Sequence, residues 1–393
     1  TSNSDVFIVA AVRTPIGNFN GTLSSLTAAD LGAVVIEELI KRSGIDKSDV
    51  DEVILGQSLA AAQGQNPARQ AVFKAGLPEH VPAYLINMLC GSGLKTVGLG
   101  YQAIRCGDSS IVICGGQESM SKAPHAIHLR NGTKMGNDTF IDTMLKDGLT
   151  DASHNIHMGV TAENLAKKYN VSREEQDLYA VESQQRTEYS QKNGFFKDEI
   201  VPVEIAKRKE KIKFETDEYP KHGTTLDGIA KLRPCFDENG TVTPGNASGI
   251  NDSAAGVLLM SAEQVKSRSL TPLAKIVAFS QVGIDPKIMG EGPIKAVHSV
   301  LKKAGWKLED IDLFELNEAF AAQAISVNKG LGVDSRKVNI GGGAIALGHP
   351  IGASGARVLV TLLYALKRTG GKKGIASLCV GGGMGVALAV ELI

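Results

Sequence analysis

The sequence predicts an α/β protein of two similar halves, with a more polar segment inserted into the first. Three observations carry this. Short apolar runs bounded by glycine or proline alternate with helical patterning, the order expected of parallel-sheet units. Residues 40 to 56, Ile40-Lys41-Arg42-Ser43-Gly44 through Asp49-Val50-Asp51 to Leu55-Gly56, align without a gap on residues 301 to 317. There the chain reads Leu301-Lys302-Lys303-Ala304-Gly305 through Asp310-Ile311-Asp312 to Leu316-Asn317. Between Gln117 and about Ser248 the texture becomes polar and loop-like, and the α/β pattern resumes near Ile250. The interval between the copies is too long for a solenoid repeat and indicates a duplicated domain. The expected organisation is a first half, 1–116, completed by 249–272; an inserted loop domain, 117–248; and a second half, 273–393.

Val6 to Val12 is a continuous apolar run, the pattern of a strand covered on both faces, and Arg13-Thr14-Pro15 ends it because proline cannot continue a ladder. A helix is expected from about Thr27 to Arg42, stopped by Gly44, and Val53-Ile54-Leu55 returns as a strand. Leu94, Val97, Tyr101 and Ile104 form one stripe of a helix ending at Gly107. Ile111-Val112-Ile113-Cys114-Gly115-Gly116 reads as a strand that its glycines terminate. In the inserted segment helical patterning is clear mainly between Thr161 and Asn193. Glu199 to Glu218 alternates as a surface hairpin around the basic run Lys207-Arg208-Lys209, read as a solvated turn in preference to a phosphate-steering patch. A helix from about Ser354 to Arg368, with a strand ending Cys379-Val380-Gly381-Gly382, echoes the helix after Cys90 and the strand ending Cys114-Gly115-Gly116.

Bulk properties narrow the function. With 393 residues, 43% hydrophobic and 21% charged, the chain can bury a large core and is not of the disordered class. Lys plus Arg equals Asp plus Glu at 42 each, so no global field draws it to nucleic acid or an anionic membrane, and an anionic ligand must be held by local groups. Five cysteines, an odd number, read as reduced thiols. The first residues show no secretory or transit pattern, and Gly374 to Val390 is too short and glycine-rich for a membrane helix. A soluble, cytoplasmic protein is expected.

The chemistry centres on Asn87-Met88-Leu89-Cys90-Gly91-Ser92-Gly93-Leu94, which places a cysteine at the mouth of a helix. Unpaired backbone N–H groups and the positive end of the helix dipole favour a thiolate there, and the glycines around Ser92 admit another backbone or a ligand. The same pattern fits a small buried cysteine ahead of a helix. Candidate partners follow strands of the second half, where open α/β sheets build their sites. Asn317, in Asn317-Glu318-Ala319-Phe320-Ala321, is either a helix N-cap or a site residue. The run Gly341-Gly342-Gly343-Ala344-Ile345-Ala346-Leu347-Gly348-His349-Pro350 suits backbone passing close to a ligand and aiming an imidazole. Cys379-Val380-Gly381-Gly382-Gly383 sets a thiol before flexible backbone that can offer N–H groups to an oxyanion. Gly341-x-Gly343-x-x-Ala346 matches a dinucleotide fingerprint formally, but no Asp or Glu between Gly341 and Val390 can hold a ribose. His125 with His128, and His154 with His157, have helical ligand spacing, yet nothing completes a metal site and none is expected.

Taken together, Asn87-x-x-Cys90-Gly91-Ser92-Gly93, Asn317-Glu318-Ala319-Phe320-Ala321, Gly348-His349-Pro350 and Cys379-x-Gly381-Gly382-Gly383 span essentially the whole chain, and in that order the sequence resembles the thiolases, in particular their biosynthetic, acetoacetyl-CoA-forming branch. The resemblance implies a five-layered αβαβα fold, a homotetramer, a place in lipid metabolism, and acetyl-CoA, acetoacetyl-CoA and CoA as partners, with no cofactor because CoA enters as part of the substrate. It implies that Cys90 carries an acetyl group, that His349 takes the Cys90 proton, and that Cys379 takes a proton from a second acetyl-CoA. It further implies two oxyanion holes, one from His349 and a water held by Asn317, the other from the backbone N–H groups of Cys90 and Gly381. CoA contacts are implied at Ala247 and Ser248 on the pantetheine, at His157 and Met158 beside it, and at Lys221 and Thr224 near the nucleotide. Lys221 stands where an arginine is common. Met158, Met289 and Phe320 would shorten the acyl pocket. Gln117 replaces the methionine usual in the family, and no function follows for it from sequence. A decarboxylating ketoacyl synthase would carry a second histidine in place of Cys379, a long-chain degradative thiolase often has serine in place of Gly91, and a silent lipid-carrier relative has no need of Cys90, His349 and Cys379 together.

Overall fold

The computed structural model describes residues 4–208 and 210–393, so Lys209 of the basic run lies outside the described residues. Strand β1 (Val6–Arg13) is buried at every position. Thr27 caps helix α1 (Ala28–Ser43) through a capping box with Asp30, and Gly44 ends it in the left-handed region at φ 72°. Then come β2 (Glu52–Gly56), α2 (Pro67–Lys74), β3 (Ala83–Ile86), α3 (Ser92–Cys106) and β4 (Ile111–Ser119). Nothing in the periodicity marks α2 and β3, because both are short and β3 is a half-exposed edge strand without an apolar run.

β4 runs through its glycines to Ser119, which corrects the expectation that they end it. Their missing side chains admit neighbouring backbone: a Cβ on Gly115 would lie 2.3 Å from the Ala255 carbonyl oxygen, and one on Gly116 2.0 Å from that of Gly352. The inserted segment contributes α4 (Met158–Lys168), α5 (Arg173–Lys192) and an antiparallel hairpin of β5 (Val203–Lys207) and β6 (Glu210–Phe214). Val201, Val203 and Ile205 bury one face of that hairpin on the first half's core, while Lys207 and Arg208 at its tip are exposed. β7 (Asn251–Ser261) returns to the first half, and the second half follows from β8 (Ala274–Gly283) through α6 (Gly292–Ala304), β9 (Leu313–Leu316), α7 (Ala321–Leu331), α8 (Ile351–Thr369), β10 (Lys373–Val380) and β11 (Met384–Leu392).

Among the described residues ten strands join in one sheet of order β9-β10-β11-β8-β1-β7-β4-β2-β3, with Gly17–Asn18 paired to β7. Apart from the edge strand β3, the order is the same in both directions from the β8/β1 junction, where the halves pair antiparallel at Phe7↔Lys275 and Ile8↔Ala274. β7 lies between β1 and β4, so the segment after the insertion belongs to the first half's sheet. The repeat extends to hydrogen bonds. Asp51 Oδ2 accepts from the N–H groups of Ser110 and Ile111 at the start of β4, and Asp312 Oδ2 accepts from those of Lys372 and Lys373 at the start of β10.

Five layers result. α1 and α2 cover the outer face of the first half-sheet, α6 and α7 that of the second, and α3 and α8 lie between the two half-sheets in a shared apolar core. The two central helices touch backbone to backbone: a Cβ on Gly93 would lie 2.5 Å from the Ala356 nitrogen, and one on Gly355 2.4 Å from that of Leu94. Of the glycines beside Ser92, Gly93 therefore serves helix contact, while Gly91 makes room for Val380 and Val386 of the second half's sheet. This close crossing brings the N-terminus of α3, with Cys90, beside that of α8, with His349.

Candidate active site

Cys90 sits in a 3-10 turn, Leu89–Gly91, that leads directly into α3. The turn forces Leu89 to φ 48°, a left-handed conformation that costs a non-glycine residue about 1–3 kcal/mol. Its neighbours hold it there. Asn87 Oδ1 accepts the Leu89 N–H at 2.9 Å, while Ser92 Oγ accepts the Met88 N–H at 2.8 Å and donates to the Leu89 carbonyl at 2.7 Å. The polar residues of the motif thus build the turn that aims Cys90.

His349 Nε2 lies 3.2 Å from Cys90 Sγ. Its Nδ1 meets Ser354 Oγ, which also lies 3.0 Å from the Pro350 carbonyl. A carbonyl can only accept, so the Ser354 hydrogen goes to Pro350 and Nδ1 donates to Ser354. That tautomer leaves the Nε2 lone pair facing the thiol. Burial, helped by the Arg357 cation, pushes His349 down to about 4. Burial also pushes the Cys90 thiol up to about 12, against the lowering effect of the Gly381 and Cys90 backbone N–H groups and with a smaller upward contribution from Glu118. The expected thiolate is therefore corrected: in the resting site desolvation outweighs the helix terminus, and thiol and imidazole are both neutral.

Cys379 ends β10 and is wholly buried, packed with Met158, Met289, Ala319 and Phe320. Burial raises its pKa, and the neighbouring Cys90 sulfur raises it further. After it the chain turns through Gly382 and Gly383, at φ 82° and 81°, which leaves the Gly381 N–H near enough to Cys90 to lower its pKa. Asn317 follows β9, but α7 begins at Ala321 with Phe320 at its N-cap, so the capping role is overturned. Both amide atoms of Asn317 are buried without a partner among the described residues. Glu318 is held by Tyr179, Ser183, Asn339 and the Ile345 N–H, and so anchors this turn.

A cavity of about 290 Å³ opens onto this group, with Cys90 and His349 in its wall. His157, Met158, Ala247, Ser248, Met289 and Phe320 also line it. Ala247 pairs with Phe320, and the Ser248 N–H donates to the Ala319 carbonyl at 3.0 Å, so the end of the insertion is clipped to the turn after Asn317. His157 caps α4 through Nδ1, and its ring stacks on Phe236 at 4.6 Å; burial lowers its pKa, so it is neutral.

Profiles of the thiolase N-terminal and C-terminal domains match residues 6–263 and 270–392. The chain belongs to the thiolase family. Among its relatives, an acetyl-CoA acetyltransferase of Shinella zoogloeoides is 57% identical over 384 residues, 98% of each chain. A cytosolic acetyl-CoA acetyltransferase of Rattus norvegicus is 55% identical over 388 residues, again 98% of each. The crystal structure of the Bacillus anthracis acetyl-CoA acetyltransferase superposes with a TM-score of 0.97 at 46% identity, covering 99% of both chains.

The fold of this thiolase does not bring every expected contact into the cavity. Lys221 and Thr224 lie on a surface loop outside it: the Lys221 ammonium stands 5.8 Å from the centre of the Tyr219 ring, and Thr224 Oγ1 donates to the Lys221 carbonyl. Tyr219 packs on Gly249, which does line the cavity, so Lys221 is one residue removed from its wall. Phe236, Met120, Leu149 and Ile351 form much of the apolar wall without having been singled out. Periodicity could not find them, because loop residues and helix starts have no repeating face. Ser354 was legible only as the start of a helix, since its partner is a side chain and not part of a motif.

Proposed function

We propose that this thiolase is an acetyl-CoA C-acetyltransferase that condenses two acetyl-CoA to acetoacetyl-CoA and CoA, reversibly, through acetyl-Cys90. One observation carries the reading: His349 Nε2 is 3.2 Å from the Cys90 sulfur, whose pKa the nearby Gly381 and Cys90 backbone N–H groups lower, beside a second buried thiol. With both groups neutral, Cys90 becomes a nucleophile as its proton passes to Nε2 during attack on the thioester carbonyl. The two N–H groups near the sulfur are placed to receive the developing oxyanion. Nε2 then protonates the departing CoA sulfur, leaving acetyl-Cys90.

In the second half-reaction the Cys379 thiol passes its proton to His349 Nε2, free again once CoA has left, and the thiolate then takes a methyl proton from another acetyl-CoA. The enolate attacks the acetyl carbon, the bond to Cys90 sulfur breaks, and the Nε2 proton passes to the Cys90 thiolate, while the methyl proton stays on Cys379 and both thiols are restored. The enolate oxygen is held by His349 and by a water on Asn317, whose amide has no partner among the described residues. With Nδ1 donating to Ser354 and the proton from Cys379 on Nε2, His349 donates from Nε2 with its Ser354–Pro350 arrangement unchanged. No metal or organic cofactor takes part in this scheme. Pantetheine would run past Ser248, Ala247, His157 and Met158, with Lys221 and Thr224 outside the cavity near the nucleotide, and Met289 and Phe320 would limit acyl length.

The assembly is a homotetramer joined through the insertion, a reading supported by the exposed Leu129, Met135 and Phe140, which are 55%, 94% and 66% accessible. Analytical ultracentrifugation tests it. A cytoplasmic place in lipid metabolism is supported by the free thiols and by the cytosolic names of the rat and mouse relatives; no helix among the described residues is long and apolar enough to cross a membrane. The function is tested with labelled acetyl-CoA: the expected result is one acetyl group on the Cys90 peptide and release of CoA, followed by acetoacetyl-CoA. Acetylation persisting in Cys90→Ala overturns it.

A further inference from the structure

Cys90 belongs to the first half and His349 to the second, so their separation depends on how the halves meet. At that seam two fully buried side chains of the first half hold backbone of the second. Asn251 Oδ1 accepts the His349 N–H at 3.0 Å, and its Nδ2 donates to the Gly17 carbonyl at 3.0 Å. Glu118, on the adjacent strand, accepts the Gly352 N–H at 2.8 Å and the Ser58 N–H at 2.9 Å on Oε2, and the Leu59 N–H at 3.1 Å on Oε1. The fit is close: a Cβ on Gly348, at φ 102°, would lie 2.4 Å from Asn251 Cγ, and one on Gly352 2.6 Å from Glu118 Oε2. Neither side chain lines the cavity. From the opposite face of β4, Gln117 Nε2 donates to Gln57 Oε1 and Gln57 Nε2 to the Leu59 carbonyl, each at 3.0 Å. The turn that Glu118 holds is therefore fixed from both sides, which gives Gln117 a structural role.

We propose that Asn251 and Glu118 form a clamp between the halves that sets the Cys90–His349 separation, with Asn251 acting as a positioning residue through the His349 backbone. Here the Cys90–His349 pairing is taken from the functional reading above. Among the described residues nothing else holds the His349 N–H. A drift of about 1 Å at a reacting pair costs on the order of 10²-fold in rate.

The test is a double-mutant cycle of Asn251→Ala and His349→Ala, read at the Cys90 peptide by mass spectrometry. Two rates are followed: acetylation by acetyl-CoA, and alkylation by iodoacetamide as a function of pH. Asn251→Ala is expected to slow acetylation by about 10²-fold with KM for acetyl-CoA little changed, and to move the alkylation profile to that of His349→Ala. Added to His349→Ala, it is expected to do nothing more. Equal losses in both backgrounds, or a wild-type profile in folded Asn251→Ala, overturn the proposal. If Asn251→Ala does not fold, Asn251→Ser, whose hydroxyl is too short to reach the His349 N–H, enters the same cycle. A wild-type protein that never acetylates would refute the functional reading, while the alkylation cycle would still decide the clamp.

Discussion

Replacing Cys379 with serine should separate the two half-reactions. The substitution keeps the side chain's shape but exchanges a thiol for a far weaker acid, in a pocket formed by Met158, Met289, Ala319 and Phe320. A positioned base contributes about 10²–10⁴-fold, or roughly 3–5 kcal/mol of barrier at 1.36 kcal/mol per decade. Condensation should fall by that factor. Acetylation of Cys90 should survive, because His349 and the Gly381 N–H, which act on the nucleophile, are untouched. The new hydroxyl meets an apolar surround, so stability should drop by about 1–3 kcal/mol. Intact-protein mass after exposure to acetyl-CoA reports the first step, and exchange of the acetyl-CoA methyl protons in deuterated water reports the second. A folded Cys379→Ser variant that condenses at close to the wild-type rate, or that fails to acetylate, refutes the division of labour between the two thiols.

Other outcomes follow from the same geometry. Phe320→Ala should enlarge the inner wall and shift the ratio of kcat/KM toward longer 3-ketoacyl-CoA by about ten-fold, measured by thiolysis of a chain-length series. Lys221→Ala should raise KM for acetyl-CoA with kcat unchanged, an effect that shrinks as salt is added because the group is exposed. Burial pushes Glu315 up to about 8 from an ordinary value of 4.5, so the native state keeps a proton that the unfolded chain has released. Its contribution to stability is present below pH 4.5 and is lost as the pH rises through 8. Glu315→Gln should flatten that part of the decline in thermal stability; an unchanged slope would show that Glu315 does not titrate there.

Much of the fold could be read from residues 40–56 and 301–317 alone, because glycine stops, paired aspartates and apolar strands are local signals that recur when a domain is duplicated. The helix after Cys90, the hairpin and the insertion were legible for the same reason. Gly115 and Gly116 were not: a glycine in a strand and a glycine in a turn look alike until the carbonyls of Ala255 and Gly352 are seen where their side chains would be. Asn317 could not be assigned because a cap and an unpartnered buried amide differ only in where the next helix starts. Lys221 and Thr224 were expected near the nucleotide, and the structure leaves them outside the cavity wall.

By itself the sequence determined the two halves, the inserted segment and the motifs that carry cysteine, imidazole and glycine-rich backbone. Tertiary structure alone decided that Cys90 and His349, 259 residues apart, stand 3.2 Å from each other, that the resting pair is neutral, and that Asn251 and Glu118 hold the seam between the halves. The reason is physical: local order follows from neighbours along the chain, whereas desolvation and hydrogen bonds between halves exist only once distant segments have excluded water from one another.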